Sequence, residues 1–495
     1  MRLNKYGGAV AGAVFSFLII CGSASASPWA AVGDMQLRND VEILARHGVI
    51  SGPVNSWPIS WKQITRHLSR TAEMDLPPYV RLAVMRVKRK IPGELRVGAH
   101  IQATNNPKIV RGFEKTARND LDAEATLEYN NDDTGTTLHL QGGYREGDGE
   151  DYAHLDGSYL SQDIGNWALY AGAFDRWWGP GRESTLILSN NARPMPSVGL
   201  RRIEPKAFAS KWLSWMGPWS WDMFVARMEE DRHVPHALIA GMRLTFAPMD
   251  NFEVGLSRTL QLCGEGRPCD FETWGRALIG GGDLDNNRGE PTEPGNQLAS
   301  IDLSYTFKVS EKSHLKIYGE GAAEDEAGKL FLPFQYARLV GATLYGPYGD
   351  NGARWRLTAE HSDTSSTHYW LFGRRRLNVV YEHFIYRTGY RFKGRSLGHS
   401  LDSDSRLMSV TADFTDAQGW EYQLKYHNAL INRDDSIINS ASIFRKKINI
   451  IEANVEGEMA IGKIKLELRL QDDQPNSSIA KDGEIMFGLN WSLGF

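Results

Sequence analysis

The chain has 495 residues, with 56 Lys and Arg against 60 Asp and Glu and a formal net charge of −4. So even a balance excludes a nucleic-acid binder, which needs a concentrated basic surface. After the first twenty residues no run approaches the ~18 to 20 uninterrupted apolar residues of a membrane helix, and mean hydropathy is only −0.40, so a bundle of membrane helices is excluded too.

Arg2 and Lys5 precede an apolar run from Gly7 to Ile20, and Ala24-Ser25-Ala26 has the small-x-small pattern of a cleavage site. Residues 1–26 are therefore predicted to be a secretory signal, with the mature chain starting at Ser27. Cys21 raises the alternative of lipid attachment, but Ile20 occupies a position where that reaction wants a small residue. Export leaves Cys263 and Cys269 in an oxidising compartment, which predicts a disulfide that stiffens a loop. Without Arg2 and Lys5 the balance becomes 54 basic against 60 acidic residues, net −6.

Residues 27–92 carry a helical rhythm. Leu37, Val41 and Leu44 recur at i, i+4 and i+7, with Gly48 placed to end the helix. Ser60 with Gln63 reads as a capping box before Trp61, Ile64 and Leu68. A third helix is predicted from Pro77-Pro78, with Val80, Val84 and Val87 on one face, ending before Pro92-Gly93. A three-helix unit of this size is marginal alone and should lean on something larger. Ten basic against five acidic residues make it net +5, which suits a solvated face or contact with an anionic glycan or lipid headgroups.

From Leu95 the period changes to two. Leu121, Ala123, Ala125, Leu127 and Tyr129 alternate with Asp122, Glu124, Thr126 and Glu128. The same alternation runs through 238–246, 299–308 and 463–470. Turns between these stretches are short, as at Pro248 to Asn251, or long, as from Cys263 to Gln297. About 400 residues at roughly 20 to 25 per strand and loop allow some 16 to 20 strands. Ile485, Phe487, Leu489, Trp491, Leu493 and Phe495 form a wholly apolar face at the end of the chain. A strand of this kind fits the closure of a barrel whose outside is lipid. The fold class read from these patterns is an all-β transmembrane barrel behind a small N-terminal α-helical bundle.

The segment Phe174 to Pro205 breaks the pattern. It holds Arg176, Trp177, Trp178 and Arg182, then Asn190, Asn191 and Arg193, then Arg201 and Arg202, and it is too rich in Gly, Pro and Arg for a strand. Indole faces stack on sugars, Asn pairs with hydroxyls and Arg forks onto carboxylates. The same residues also suit a folded-in plug whose arginines pair with lumen acids, and both readings stand.

Other patterns are weaker. Arg374-Arg375-Arg376 reads as a charged rim or lumen patch, with ligand contact as the alternative. His233 and His236 find no further residue to complete a metal site, and Asp283, Asp285 and Asn287 fail as a calcium loop because Arg288 and Pro294 fill its Gly and Glu positions. No catalytic residue, metal or cofactor is expected. A Ser/His/Asp site would have to be assembled in space from distant strands.

Several stretches resemble the Wzi family of capsule-assembly outer-membrane proteins. They are Asp40-Val41-Glu42-Ile43-Leu44 with Gly48-Val49-Ile50, Trp57-Pro58-Ile59, Phe174-Asp175-Arg176-Trp177-Trp178-Gly179-Pro180-Gly181 and Asn190-Asn191-Ala192-Arg193-Pro194-Met195-Pro196. The resemblance implies an 18-stranded barrel in the outer membrane of a Gram-negative cell, with the bundle of residues 27–92 in the periplasm and the barrel from 93 to 495. It implies a lectin-like, non-catalytic role in holding capsular or extracellular polysaccharide. The expected partners are that polysaccharide, outer-membrane lipid and, through the strand ending at Phe495, the barrel assembly machinery. The competing readings are a channel for small solutes, motivated by inward Arg243, Thr245, Asp302 and Thr306, and an outer-membrane hydrolase.

Overall fold

The computed structural model describes residues 28–147, 152–279, 295–324, 335–368, 375–479 and 481–494. The signal segment 1–26, Ser27, the residues of the failed calcium pattern from Asp283 to Pro294, Arg374 and the final Phe495 lie outside them.

Helix α1 (Met35–Arg46) starts where Asp34 Oδ1 accepts the Leu37 amide at 2.9 Å, and Gly48 follows it at φ +71°. Helix α2 (Trp61–Thr65) is shorter than the apolar stripe suggested and passes into a 3-10 turn at Leu68–Ala72. Its capping box is only half made. Ser60 Oγ accepts the Lys62 amide at 3.2 Å, but the Gln63 side chain donates to the Ser51 and Pro53 carbonyls (3.2 and 2.9 Å). Helix α3 (Pro78–Lys90) has proline at its first position, where no amide hydrogen is needed. It packs on α1 through buried Val80, Ala83, Val84 and Val87 and a two-pronged Arg86–Asp40 pair at 2.8 Å.

Eighteen antiparallel strands close the barrel. They are β1 (Leu95–Thr104), β2 (Leu121–Asn131), β3 (Thr136–Glu146), β4 (Tyr159–Ile164), β5 (Trp167–Gly172), β6 (Ser197–Arg202), β7 (Trp219–Arg227), β8 (Leu238–Met249), β9 (Phe252–Leu262), β10 (Gly295–Lys308), β11 (His314–Ala323), β12 (Gln335–Tyr348), β13 (Ala353–His368), β14 (Arg406–Thr415), β15 (Glu421–Ile431), β16 (Lys446–Met459), β17 (Gly462–Gln471) and β18 (Glu484–Gly494). Short strands at Tyr152–His154 and Arg375–Arg376 extend the wall beside β3 and β13. Closure is made by β18 against β1, in register from Gly488↔Thr104 to Gly494↔Gly98, which leaves no unpaired edge to face lipid.

Two expectations need correcting. Ser197–Arg202 lies inside the stretch taken as non-strand, yet it is β6, paired with both β5 and β7. Pro248 and Met249 belong to β8, so the turn there is only Asp250-Asn251. Gly-rich and Arg-rich composition misleads when a short strand is held by two neighbours.

The period-two reading holds along the wall. Asp122, Glu124 and Glu128 are buried in the lumen while Leu127, Leu256, Ile301, Leu466, Ile485, Phe487 and Leu489 are exposed outward. One rim carries the short turns, such as Asp250-Asn251. The other carries the long connections, including 105–120, 173–196 and 432–445.

The helical unit seats in the short-turn rim. The Glu253 carboxylate accepts the amides of Val54 (2.8 Å) and Asn55 (2.9 Å), and Lys62 Nζ reaches Asp163 at 2.6 Å. Gly52 has φ +90°, and a Cβ there would stand 2.6 Å from the Pro205 ring. Gly52→Val therefore combines a left-handed backbone with a clash, a penalty of roughly 1–3 kcal/mol. The expected result is faster protease nicking between residues 46 and 60 with the barrel itself intact on a heat-modifiability gel.

Candidate functional site: a filled lumen beneath a loop-bearing mouth

The lumen is filled in layers by the chain itself. Nearest the short-turn rim, Glu42 of α1 meets Arg356 (2.9 Å), Lys316 (3.1 Å) and Arg182 (3.2 Å). Burial alone would raise the Glu42 carboxyl, but Lys316, Arg182, Arg356 and Arg38 hold it well below the usual carboxylate range. Ser56-Trp57 pairs as a short strand with Trp177-Trp178, Trp57 opposite Trp177. The helical unit and the 174–191 segment are thus joined by backbone as well as by charge.

The middle layer is the 174–191 segment with 105–120. Two lumen acids hold it through its backbone. Glu320 accepts from the Leu186 amide (3.1 Å) and the Thr185 hydroxyl (3.1 Å), and Glu360 accepts from the Arg182 amide (2.8 Å). Glu183 pairs with Lys425 at 3.0 Å, Lys108 with Glu452 and Glu467 at 2.6 and 2.7 Å. Arg118 donates to three successive carbonyls, Asn190, Asn191 and Ala192, at 2.7–2.9 Å. Above it the long β13–β14 connection folds inward. Tyr381 and Tyr390 hydroxyls donate to the Leu186 and Ile187 carbonyls at 2.5 and 2.9 Å, and Arg391 bridges Asp402 (2.6 Å) and Glu382 (2.5 Å).

The residues singled out in the sequence fall in different places. Trp177 and Trp178 are 0% exposed; Trp177 lies edge-on to Phe113 at 5.6 Å, so neither indole offers a face at the surface. Arg176 is sandwiched between Phe174 (4.3 Å) and Phe224 (4.2 Å) and donates to Ser197 Oγ. Arg182 joins α1 through Glu42 and Asn39. Asn190 and Asn191 donate side-chain hydrogen bonds to the carbonyls of Phe113 (3.1 Å) and Ser396 (2.9 Å). Arg201 is buried on the Pro58 carbonyl and Asp222. Arg202 lies at the short-turn rim over the Trp219 ring at 3.6 Å. Arg193 is different: it stays partly exposed beside the long loops, forked onto Asp156 at 2.9 Å and standing 4.7 Å over the Tyr152 ring. Cys263 and Cys269 are bonded. Arg375 and Arg376 are exposed at the end of β13, on the rim and not in the lumen.

Sequence reading missed the acids that hold the plug, Glu42, Glu183, Glu320 and Glu360. Glu320 and Glu360 stand at inward positions of strands, while Glu42 lies on α1 and Glu183 in the plug itself, and nothing in one sequence says what faces them across a lumen. Helix α4 (Phe271–Ile279) lies inside the stretch from Cys263 to Gln297 whose composition predicts a loop.

The lumen wall brings together Ser409, His427 and Glu452, with Ser409 Oγ 2.8 Å from His427 Nδ1 and His427 Nε2 3.8 Å from Glu452. All three are buried, and Lys108 already neutralises Glu452. A nucleophile needs an approach for substrate, and this cluster sits in the seam between wall and plug. Inward Arg243 and Asp302, read as channel lining, pair with each other at 2.7 Å. A cavity of about 560 Å³ remains beside β2 and β3, from Lys90 and Gly494 at one rim to Asp156 and Pro194 at the other.

Comparison with known proteins adds the following. The family described as capsule assembly protein Wzi matches residues 89–474. The chain is 30% identical over 467 residues to an uncharacterized 55.8 kDa protein in the cps region of Klebsiella pneumoniae, covering 92% of this chain and 88% of that protein. It is also similar to the structure of Escherichia coli Wzi, described as an outer-membrane protein involved in group 1 capsule assembly and as a carbohydrate-binding β-barrel. The TM-score is 0.79 and the identity 26%, over 94% of this chain and 99% of that chain.

Proposed function

Because the chain belongs to the capsule assembly protein Wzi family, we propose that it is a lectin-like, non-catalytic protein of the outer membrane that attaches capsular or extracellular polysaccharide to the cell surface. One observation carries the reading beyond the family. Three layers of the protein's own residues occupy most of the lumen, which favours the loop-bearing face as the surface that meets the polymer. On this reading the long loops face the medium and the helical unit, residues 27–92, lies in the periplasm. Lipid surrounds the wall, and β18 serves as the strand offered to the barrel assembly machinery. Residues Arg176 to Asn191 act as plug, and Arg201 reaches the helical unit from the wall. Arg193 with Tyr152 is the part of the segment left for sugar, a cation over an aromatic face at the exposed mouth.

Cells lacking the protein are expected to make and export polymer but to release most of it into the medium, measured as the ratio of cell-bound to free polysaccharide. Loss of total polymer would defeat the reading. Arg193→Ala in otherwise wild-type protein is expected to weaken binding to the producer's own polysaccharide about tenfold, equivalent to a contact of ~1.4 kcal/mol. Release of fragments from that polymer by the purified protein would turn the assignment to hydrolase.

The rim-to-rim cavity favours a second reading, passage of small solutes. Steady conductance of the intact protein in a planar bilayer would support it; a closed lumen passes little current.

A further inference from the structure

From the position of α4 we infer that this helix is seated in the leaflet of the membrane at the loop rim, with Phe271 and Leu278 in the hydrocarbon. The helix is built for a fixed place. The Cys263–Cys269 bond closes the loop just before it, and Asp270 Oδ1 accepts the Thr273 amide at 2.7 Å to start its first turn.

The side it leans on is the outside of the barrel. Trp274 and Ala277 pack against Leu260 and Leu262 of β9 and Ala240 of β8. These residues share the outward face with Leu256 and Met242, two positions per step along each strand. Arg258 also points outward. It donates to the carbonyls of Ala277 (2.9 Å) and Leu278 (3.2 Å) and to Gln297 Oε1 (2.6 Å). An arginine on a lipid-facing wall is costly unless paired, and helix C-terminal carbonyls need donors. Each group answers the other's need, which places the end of α4 at membrane depth.

The rest of the helix is amphipathic in the way of an interfacial helix. Phe271 and Leu278, seven residues apart and so on one face, are 93% and 47% exposed. Glu272 and Arg276 pair with each other on another, with side chains 71% and 58% exposed. In water, an almost bare phenylalanine beside an apolar wall has no apolar partner among the described residues. In the leaflet it continues the lipid-facing stripe of Leu256 and Ile301. The occupant is therefore lipid acyl chain, and the inference rests on the barrel's membrane location, not on glycan binding.

Nitroxide labels placed at Phe271→Cys, Leu278→Cys and Glu272→Cys test it in the full-length protein reconstituted in dioleoylphosphatidylcholine vesicles, without reductant so that the native disulfide stays closed. Collision with oxygen relative to a water-soluble nickel chelate is expected to be several-fold higher at 271 and 278 than at 272. Equal ratios at the three positions would overturn the inference. Dipolar broadening between labels on separate molecules would also overturn it, by assigning the face to a second copy. Heat-modifiable migration of each labelled variant confirms a folded barrel, and the three labels lie on exposed positions, so a change reports environment and not loss of fold.

Discussion

Glu42→Gln is expected to unseat the helical unit from the barrel while leaving the wall intact. Glutamine keeps the shape of the side chain and removes only its charge. Arg356, Lys316 and Arg182, all within 3.2 Å of the carboxylate, are then left as buried cations without their anion. Removing one partner from a buried charge cluster costs about 3–5 kcal/mol, enough to dominate the docking of a 65-residue unit that is marginal alone. The measurement is limited proteolysis of residues 28–92 together with heat-modifiability of the barrel; faster loss of the first without the second is the expected pattern. Wild-type resistance in the variant would mean that backbone pairing at Trp57 and Trp177 suffices.

Acid should act in the same direction. The Glu42 carboxyl sits below its unfolded value because of its cations, so its contribution is fully present above the ordinary glutamate range. It disappears as pH falls through the lower value in the folded protein. Docking is therefore expected to hold at neutral pH and to weaken in strong acid, and Glu42→Gln should reduce that dependence, leaving the share carried by Asp40 on Arg354.

The second large effect is expected from the paired indoles. Trp177→Ala or Trp178→Ala removes a ring with no exposed surface, and truncation of a buried tryptophan costs about 3–5 kcal/mol. Because the two residues share the pairing with Ser56-Trp57, their losses should not add. Chemical denaturation and single-channel recording check this: stability falls, and current rises as the middle layer loosens. Trp177→Phe separates the two original readings of this segment. If it keeps the protein stable yet loses polysaccharide, the indole is a sugar platform; if binding survives, the ring is packing.

How far the sequence could be read differs by element. The first helix was legible because stripe and terminator agreed at Leu37–Val41–Leu44 and Gly48. Strands such as β2 and β18 were legible because lipid on one side and lumen on the other force opposite chemistry onto alternate residues. Strand β6 was not, since its alternation of Val198 and Leu200 with Ser197, Gly199 and Arg201 spans only six residues in a stretch rich in Gly, Pro and Arg. Helix α4 was hidden because nine residues give a weak periodic signal inside a loop rich in Gly and Asp.

The candidate site divided along the same line. The Arg-Trp-Asn segment stood out by composition, but composition cannot say whether an indole faces sugar or another indole. Trp177 opposite Trp57, Arg118 on three consecutive carbonyls and Glu320 under the Leu186 amide are contacts between residues up to more than a hundred positions apart.

By itself the amino-acid order determined a two-residue rhythm, and hence a wall with lipid outside and charge inside, together with a short helical unit in front of it. Only the tertiary structure decided what those inward charges face. Closing the barrel brings strands distant in sequence around one axis, and burial then obliges each acid to find a cation or an amide. That requirement, met by the chain's own segments, is what fills the lumen.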